Sequence, residues 1–242
     1  MIIVVGCGFV GETVALSLEE NGHDVVRIDP KYNENKIADY IYSTDGVIVA
    51  VPTPTVNGVC DDSIIRQVLD EIGPSAPVLL KSTVTPDLMK DYFINVVYNP
   101  EFLRAKSAKE DFDHQEFFIL GGEEYNVQYW KNVFSYLNAT PLITDRHTAS
   151  MVKYMHNVWL AMKVAFFHEI YSLDLGGDFY KMANILSNFE NIGPSHMMAP
   201  NDEGKLGFGG HCFPKDTEAF LDFSGSEILQ KVIEVNEKLR NK

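Results

Sequence analysis

The sequence predicts an α/β protein in which a doubly wound parallel sheet is followed by an all-helical domain. Three observations carry this reading. The chain opens on an apolar, mostly β-branched run, Met1-Ile-Ile-Val-Val5, that meets a glycine-rich turn at once. Short apolar runs then alternate with helix-length segments to about residue 146, the pattern of strands joined by crossover helices. Beyond that point strand signals vanish, so a sheet domain over 1–146 and a helical domain over 147–242 are expected.

Each element follows from local chemistry. Residues 1–5 suit a strand covered on both faces. Gly6-Cys7-Gly8-Phe9-Val10-Gly11 comes next, then a helical pattern through Val14, Ala15, Leu16 and Leu18 that stops at Asn21-Gly22, then a strand at 24–28 ending at Asp29. In that setting G-x-G-x-x-G reads as a Rossmann-type dinucleotide site. Gly6 allows the tight turn, Gly8 lets a pyrophosphate approach the helix N-terminus, and Gly11 permits close helix-strand packing. Asp29, 18 residues after Gly11, would accept from the adenosine ribose and repel a 2′-phosphate, which favours NAD over NADP. The plainer alternative for Asp29 is a turn residue before Pro30. Further strands are expected at 46–51, 78–80, 95–98, 117–120 and 142–144, with helices at about 62–72 and 123–137. Their polar exits, Pro52-Thr53-Pro54, Ser82-Thr83-Val84 and Asn99-Pro100-Glu101, would face the ligand crevice of such a sheet.

The helical part begins near 147, and its first helix is expected to run to about 173. Lys153 and Asn157 are four apart and share a face that Ala161, Val164 and His168 continue. A polar pair on a stripe that turns apolar points to a site at one end of the helix, although a solitary Lys153 could equally be a solvated surface lysine. A second helix at about 179–188 leads through a loop, 191–204, to Phe208-Gly-Gly-His-Cys-Phe-Pro-Lys-Asp216. This is a glycine-rich approach to a helix with a thiol at its mouth. Pro214 suits a first helical turn, so Cys212 would meet unpaired N–H groups and the positive end of the dipole, with Lys215 adding a cation. All three favour thiolate, whereas an isolated cysteine after a Gly-Gly turn would read better as buried and inert. A last helix at about 225–241 carries Ile228, Val232, Val235 and Leu239 on one stripe, a face that needs a partner.

Composition narrows the function classes. With 34 acidic against 20 basic residues, the formal charge of −14 disfavours nucleic acid and anionic membranes as partners. No apolar run approaches the length of a membrane span, and no targeting segment is visible at the amino terminus. Three cysteines, Cys7, Cys60 and Cys212, have no zinc spacing and make no disulfide framework. No metal is expected, and a reducing, cytoplasmic home suits them.

Six motifs occur in one order: Gly6-x-Gly8-x-x-Gly11, Val51-Pro-Thr-Pro54, Ser82-Thr-Val84, Asn99-Pro-Glu-Phe-Leu-Arg104, Lys153-x-x-x-Asn157 and Gly207-Phe-Gly-Gly-x-Cys-Phe-Pro-Lys-Asp216. In this the chain resembles nucleotide-sugar dehydrogenases of the UDP-glucose/GDP-mannose class over essentially its whole length. The loop from Gly193 to Lys205 is most similar to the UDP-glucose 6-dehydrogenase branch. The resemblance implies oxidation of a sugar primary alcohol to a carboxylate in two hydride transfers, with two NAD reduced. It implies that Cys212 forms a thiohemiacetal and then a thioester, that Glu101 is the acid/base of hydrolysis, and that Lys153 and Asn157 stabilise the oxyanion. Asp216 would orient the water, with Thr83 between water and cofactor. Phe9, Val10, Thr53 and Lys215 would join the glycines, Asp29 and Thr83 around NAD, while Phe102, Leu103 and Gly209 would join Glu101, Lys153 and Asn157 around substrate. Apart from the resemblance, the long helix from about 147 and the apolar stripe of the last helix predict a homodimer through the helical domain.

Three departures from the family pattern stand out. Ala105 replaces a second glutamate, Asn191 replaces an arginine that usually reaches a neighbouring subunit's substrate, and the family's carboxyl-terminal α/β domain, which holds the UDP, is not in this sequence. Two other classes therefore stay open: a β-hydroxyacid-type dehydrogenase that stops after one hydride, and a non-catalytic protein that binds NAD or a partner subunit.

Overall fold

The computed structural model describes all residues except Ser75, Ala105, Asp202 and Glu203. The expectation attached to Ala105, and two residues of the 191–204 loop, thus lie outside the described residues. Two compact units appear, one comprising Met1–Pro54 with Cys60–Lys153 and the other Thr55–Val59 with Tyr154–Lys242.

The first unit is built on a seven-stranded sheet. Its strands are β1 (Ile2–Val5), β2 (Val25–Ile28), β3 (Gly46–Val49), β6 (Val78–Leu80), β7 (Val96–Tyr98), β8 (Phe117–Gly121) and β9 (Thr140–Thr144). A short hairpin of β4 (Thr55–Val56) and β5 (Val59–Cys60) belongs, up to Val59, to the second unit. The order across the sheet is β2-β1-β3-β6-β7-β8-β9. From β2 to β7 every pairing is parallel, with Ile3 of β1 opposite Val26 on one side and Val47 on the other. Strands β1, β3, β6 and β7 are buried along their whole length, which explains why their sequences are continuous apolar runs. Helices α1 (Phe9–Glu20), α2 (Ile37–Tyr40), α3 (Ser63–Ile72), α4 (Ala108–Asp113) and α5 (Glu124–Val133) belong to this unit. Leu18, Ile48, Leu79, Leu120 and Trp130 meet in its core.

The sheet is mostly rather than wholly parallel, because β8 meets β7 antiparallel at Tyr98 and Gly121. Among the described residues of the link between them stands one short helix, α4, whose six residues span about 9 Å at 1.5 Å per residue. Lys109 of α4 donates to Glu20 and Asp113 accepts from Ser17 Oγ, so this helix packs along the last turns of α1 before the chain enters β8. The segment expected to be helical to 137 is helical only to Val133, and turn bonds from Ser135 N to Asn132 O and from Leu137 N to Phe134 O take over.

The second unit is helical. Within it run most of α6 (Arg146–Ser172), then α7 (Phe179–Leu186), α8 (Cys212–Ser224) and α9 (Glu227–Arg240). Gly225 takes a left-handed conformation (φ 62°) to end α8, and Ser226 accepts from Leu229 N to start α9. Ala161, Val164, Ala165 and Phe208 form a small core, with Phe213 and Val232 packed on it. Among the described residues no helix is long and apolar enough to cross a membrane.

Candidate active site

The turn after β1 is shaped by two glycines that nothing larger could replace. Gly6 sits at φ 89°, and a Cβ there would lie 2.5 Å from the Ala50 carbonyl oxygen. A Cβ on Gly11 would lie 1.9 Å from the Gly6 carbonyl oxygen. At Gly8, by contrast, a Cβ would meet nothing within 4 Å. Gly8 is the N-cap of α1 and offers no side-chain cap, so the first-turn N–H groups face open space at the positive end of the helix dipole. This cradle fits a dinucleotide pyrophosphate. Phe9 is exposed and Val10 half-buried on the same turn.

Asp29 follows the last residue of β2, where one carboxylate oxygen accepts from Cys7 N (2.8 Å) and the other from Lys31 N (2.9 Å). Each carboxylate oxygen can take a second donor, so acceptor capacity remains. The Cys7 thiol is pushed up to about 11 by burial and by the Asp29 and Glu12 carboxylates, so it stays protonated and inert.

The strand exits are laced together by their own polar side chains. Ser82 Oγ donates to Val51 O (2.7 Å), and Thr53 Oγ1 donates to the carbonyl of Thr83 (2.7 Å). Asn99 bridges two strands: Oδ1 accepts from Lys81 Nζ (2.6 Å) and Nδ2 donates to Ile119 O (2.7 Å). Lys81 is fully buried beside the Phe112 ring, and its pKa falls to about 8 through desolvation, with Glu101 opposing the shift and Lys153 adding to it.

Glu101 and Lys153 form one buried cluster in the first unit. Lys153 Nζ donates to the Glu101 backbone carbonyl (2.5 Å) and to its Oε1 (3.1 Å), while Glu101 Oε2 accepts from Leu103 N (2.7 Å). The Phe102 ring lies under the ammonium at 5.3 Å. Upstream on α6, Ser150 Oγ donates to Val84 O, tying the helix to the Ser82-Thr83-Val84 exit. Lys153 is thus a buried ion-paired lysine, and the stripe it begins is buried at Asn157, Ala161, Val164 and His168 as well.

The thiol segment lies in the second unit. Cys212 is the first residue of α8, exposed, with His211 as N-cap and Pro214 in the first turn. One turn on, Asp216 is buried and accepts from Asn157 Nδ2 (2.6 Å) and Lys215 Nζ (2.5 Å). The carbonyl of Lys215 accepts from Thr55 Oγ1 on β4. At Gly209 the Arg240 guanidinium lies 3.1 Å from the place a Cβ would take, a tight approach by the end of a flexible side chain. Asn191 is exposed. No group of three or more potential metal-ligating side chains occurs among the described residues.

Family models match both parts of the chain: the NAD binding domain of the UDP-glucose/GDP-mannose dehydrogenase family over residues 33–138, and that family's central domain over 147–238. The chain belongs to this family. A UDP-glucose 6-dehydrogenase of Rickettsia bellii is 30% identical over 89% of the chain, and the YwqF UDP-glucose 6-dehydrogenase of Bacillus subtilis is 27% identical over 97%. The chain spans 53% and 65% of those two proteins. A UDP-glucose dehydrogenase structure from Pyrobaculum islandicum superposes with a TM-score of 0.87 at 28% identity, covering 98% of this chain and 68% of that one. The amino-terminal unit of this UDP-glucose/GDP-mannose dehydrogenase family member is therefore an NAD-binding domain.

Three further buried side chains hold the family's motifs in place. Lys81 stands directly before Ser82-Thr83-Val84, Asn236 grips Phe208 through N–H and carbonyl (2.6 and 3.2 Å), and Lys163 donates to the carbonyls of Ile192 and Gly193. The only sequence signal for them is a polar residue set among apolar neighbours at helical or strand spacing, which is weak until burial is known.

Proposed function

We propose that this chain oxidises a nucleotide sugar, UDP-glucose to UDP-glucuronate, in two NAD-dependent steps through a covalent intermediate on Cys212. The observation that carries the reading is the exposed Cys212 at the N-terminus of α8, one turn before a buried Asp216 gripped by Asn157 and Lys215. When bound, NAD supplies the acceptor for each hydride. The Cys212 thiolate adds to the aldehyde left by the first oxidation: a C–S bond forms, and the carbonyl π pair moves to oxygen as an alkoxide. Lys153, with one ammonium N–H not used by Glu101, and the Asn157 amide stabilise that oxygen. After the second oxidation the acyl group is a thioester. Water adds, the C–S bond breaks, and the thiolate leaves with its electron pair. Glu101 takes the proton from water, with Asp216 and Thr83 orienting the water. Thr53 and Lys215 border the cofactor, and Phe102, Leu103 and Gly209 border the sugar.

We further assign a homodimer through the helical unit. On α6, Met155, Trp159 and Phe166 are exposed apolar residues, the last two a heptad apart, and Leu173 follows just past the helix end, a stripe that suits burial against a second copy. None of the three cysteines forms a disulfide, which suits a cytoplasmic home.

The deciding experiment supplies NAD with UDP-glucose, GDP-mannose or UDP-N-acetylmannosamine in parallel and counts reduced cofactor per sugar. Two per UDP-glucose, with Cys212→Ser stalled, supports the reading. One per sugar with an indifferent Cys212→Ser points to β-hydroxyacid-type chemistry, and none with any sugar points to a non-catalytic role.

A further inference from the structure

His168 is buried on α6 in the second unit, and both of its ring nitrogens are engaged. Nε2 lies 2.8 Å from the Met198 carbonyl oxygen, and Nδ1 lies 2.9 Å from Gly207 N, which donates to it. A carbonyl can only accept and an amide N–H can only donate, so the pair of contacts dictates the neutral tautomer with its proton on Nε2. The two contacts lie on different segments. Met198 is in the loop that follows α7, and Gly207 opens the glycine-rich approach to Cys212. Gly207 has φ 76°, and a Cβ there would lie 2.5 Å from Asn236 Oδ1. Asn236 then holds the next residue, Phe208, by both backbone groups.

We propose that His168 is the positioning residue of the thiol segment: its imidazole ties the post-α7 loop and the head of the Gly207–Cys212 approach to the helix that also carries Asn157. That the segment delivers the nucleophile rests on the proposed function; the junction itself does not. A second consequence follows from the tautomer. An imidazolium would present N–H to N–H at Gly207, so the junction opens when His168 is protonated. Desolvation holds the His168 pKa below its usual value, with the bond to the Met198 carbonyl opposing the shift. With a lowered folded pKa, the junction is intact above about pH 6.5, the ordinary histidine value, and is lost as pH falls through the folded pKa.

The test is NMR of the full chain with ¹⁵N-labelled histidine, together with amide exchange at Gly207. The expected results are an Nε2–H tautomer for His168 and a Gly207 amide whose protection, corrected for intrinsic exchange, falls in step with His168 protonation. His168→Asn, whose Oδ1 can sit where Nδ1 does, should keep the Gly207 amide protected and remove the pH dependence. His168→Gln, whose amide reaches the Nε2 position, should speed Gly207 exchange roughly tenfold or more. An Nδ1–H tautomer, or a Gly207 amide indifferent to His168 protonation in the wild type, overturns the proposal even if His168→Gln fails to fold. None of these readouts needs turnover, so an inactive chain would sink the proposed function and leave this result standing. If the chain turns over, His168→Gln should lower kcat with KM little changed, and His168→Asn should restore it.

Discussion

Asn157 Nδ2 and Asp216 Oδ2 lie 2.6 Å apart, joining α6 to α8 through two side chains that are both buried. The bond fixes which way the Asn157 amide faces. With Nδ2 turned to the carboxylate, Oδ1 is left to His156 Nδ1 at 3.0 Å. Asp216→Asn would set an amide NH₂ against one of two donors, Asn157 or Lys215. Breaking a buried charge-assisted bond costs about 1.5–3 kcal/mol, so urea denaturation should show a loss of that size. Asn157→Asp should cost more at pH 7, because two carboxylates would meet, and stability should recover in acid as one takes a proton. An Asn157→Asp protein as stable at pH 7 as at pH 5 would contradict this arrangement.

The glycines of the first turn separate binding from folding. Gly11→Ala places a methyl 1.9 Å from a backbone oxygen and should lower thermal stability sharply. Gly8→Ala meets open space, so the fold should keep its Tm. Its methyl projects where the pyrophosphate would approach, so NAD affinity by calorimetry should fall by about tenfold or more, since each 1.4 kcal/mol is a factor of ten. A Gly8→Ala protein that binds NAD as the wild type does would place the pyrophosphate elsewhere.

The Glu101–Lys153 pair is nearly inaccessible, with side chains 9% and 4% exposed. Removing one partner of a buried pair strands the other charge, at a cost of about 3–5 kcal/mol. Lys153→Met should therefore destabilise strongly, whereas Lys153→Met with Glu101→Gln should recover much of the loss. A double-mutant cycle in urea measures the coupling, and a coupling near zero would show that the two residues do not act as a pair.

Most of the sheet was legible because buried parallel strands need unbroken apolar runs, and residues 1–5, 46–51 and 78–80 supply them. The G-x-G-x-x-G turn was legible because its glycines answer to backbone collisions that no other residue avoids. The antiparallel entry of β8 was not, since strand direction leaves no mark on an apolar run such as residues 117–120. In the site, Lys153 on its own looked like a surface lysine, and only the fold reveals Glu101 beside it. Lys81 and Asn236 left no periodic signal, because a single buried polar residue differs from an exposed one only in what packs over it.

Lys81 should give the chain a distinctive alkaline behaviour. Its pKa falls from an ordinary 10.5 to about 8 in the fold, so between those values the unfolded chain binds more protons than the folded one. Stability attributable to this residue must then rise with pH across that window and be flat below it. The shift corresponds to on the order of 3 kcal/mol. Cysteines and tyrosines titrate in the same range, but they are common to wild type and Lys81→Met. The difference between the two stabilities should therefore climb by that amount from pH 8 to 10.5, and a flat difference would mean that Lys81 is solvated.

The exposed stripe on α6 predicts the oligomeric state. Trp159 is 59% exposed and Phe166 57%, and large aromatic residues this open to water on one helix face are costly unless a partner covers them. Burying an aromatic side chain contributes about 1.5–3 kcal/mol, and a twofold axis counts each residue twice. Replacing Trp159 with Glu would set two like charges near that axis and remove both aromatic contributions. Light scattering should give a dimer for the wild type and a monomer for Trp159→Glu, with the far-UV spectrum unchanged because the side chain is mostly exposed within its own chain. A wild-type monomer at high micromolar concentration would assign the stripe to some other surface. A dimer that survives Trp159→Glu would move the interface off α6.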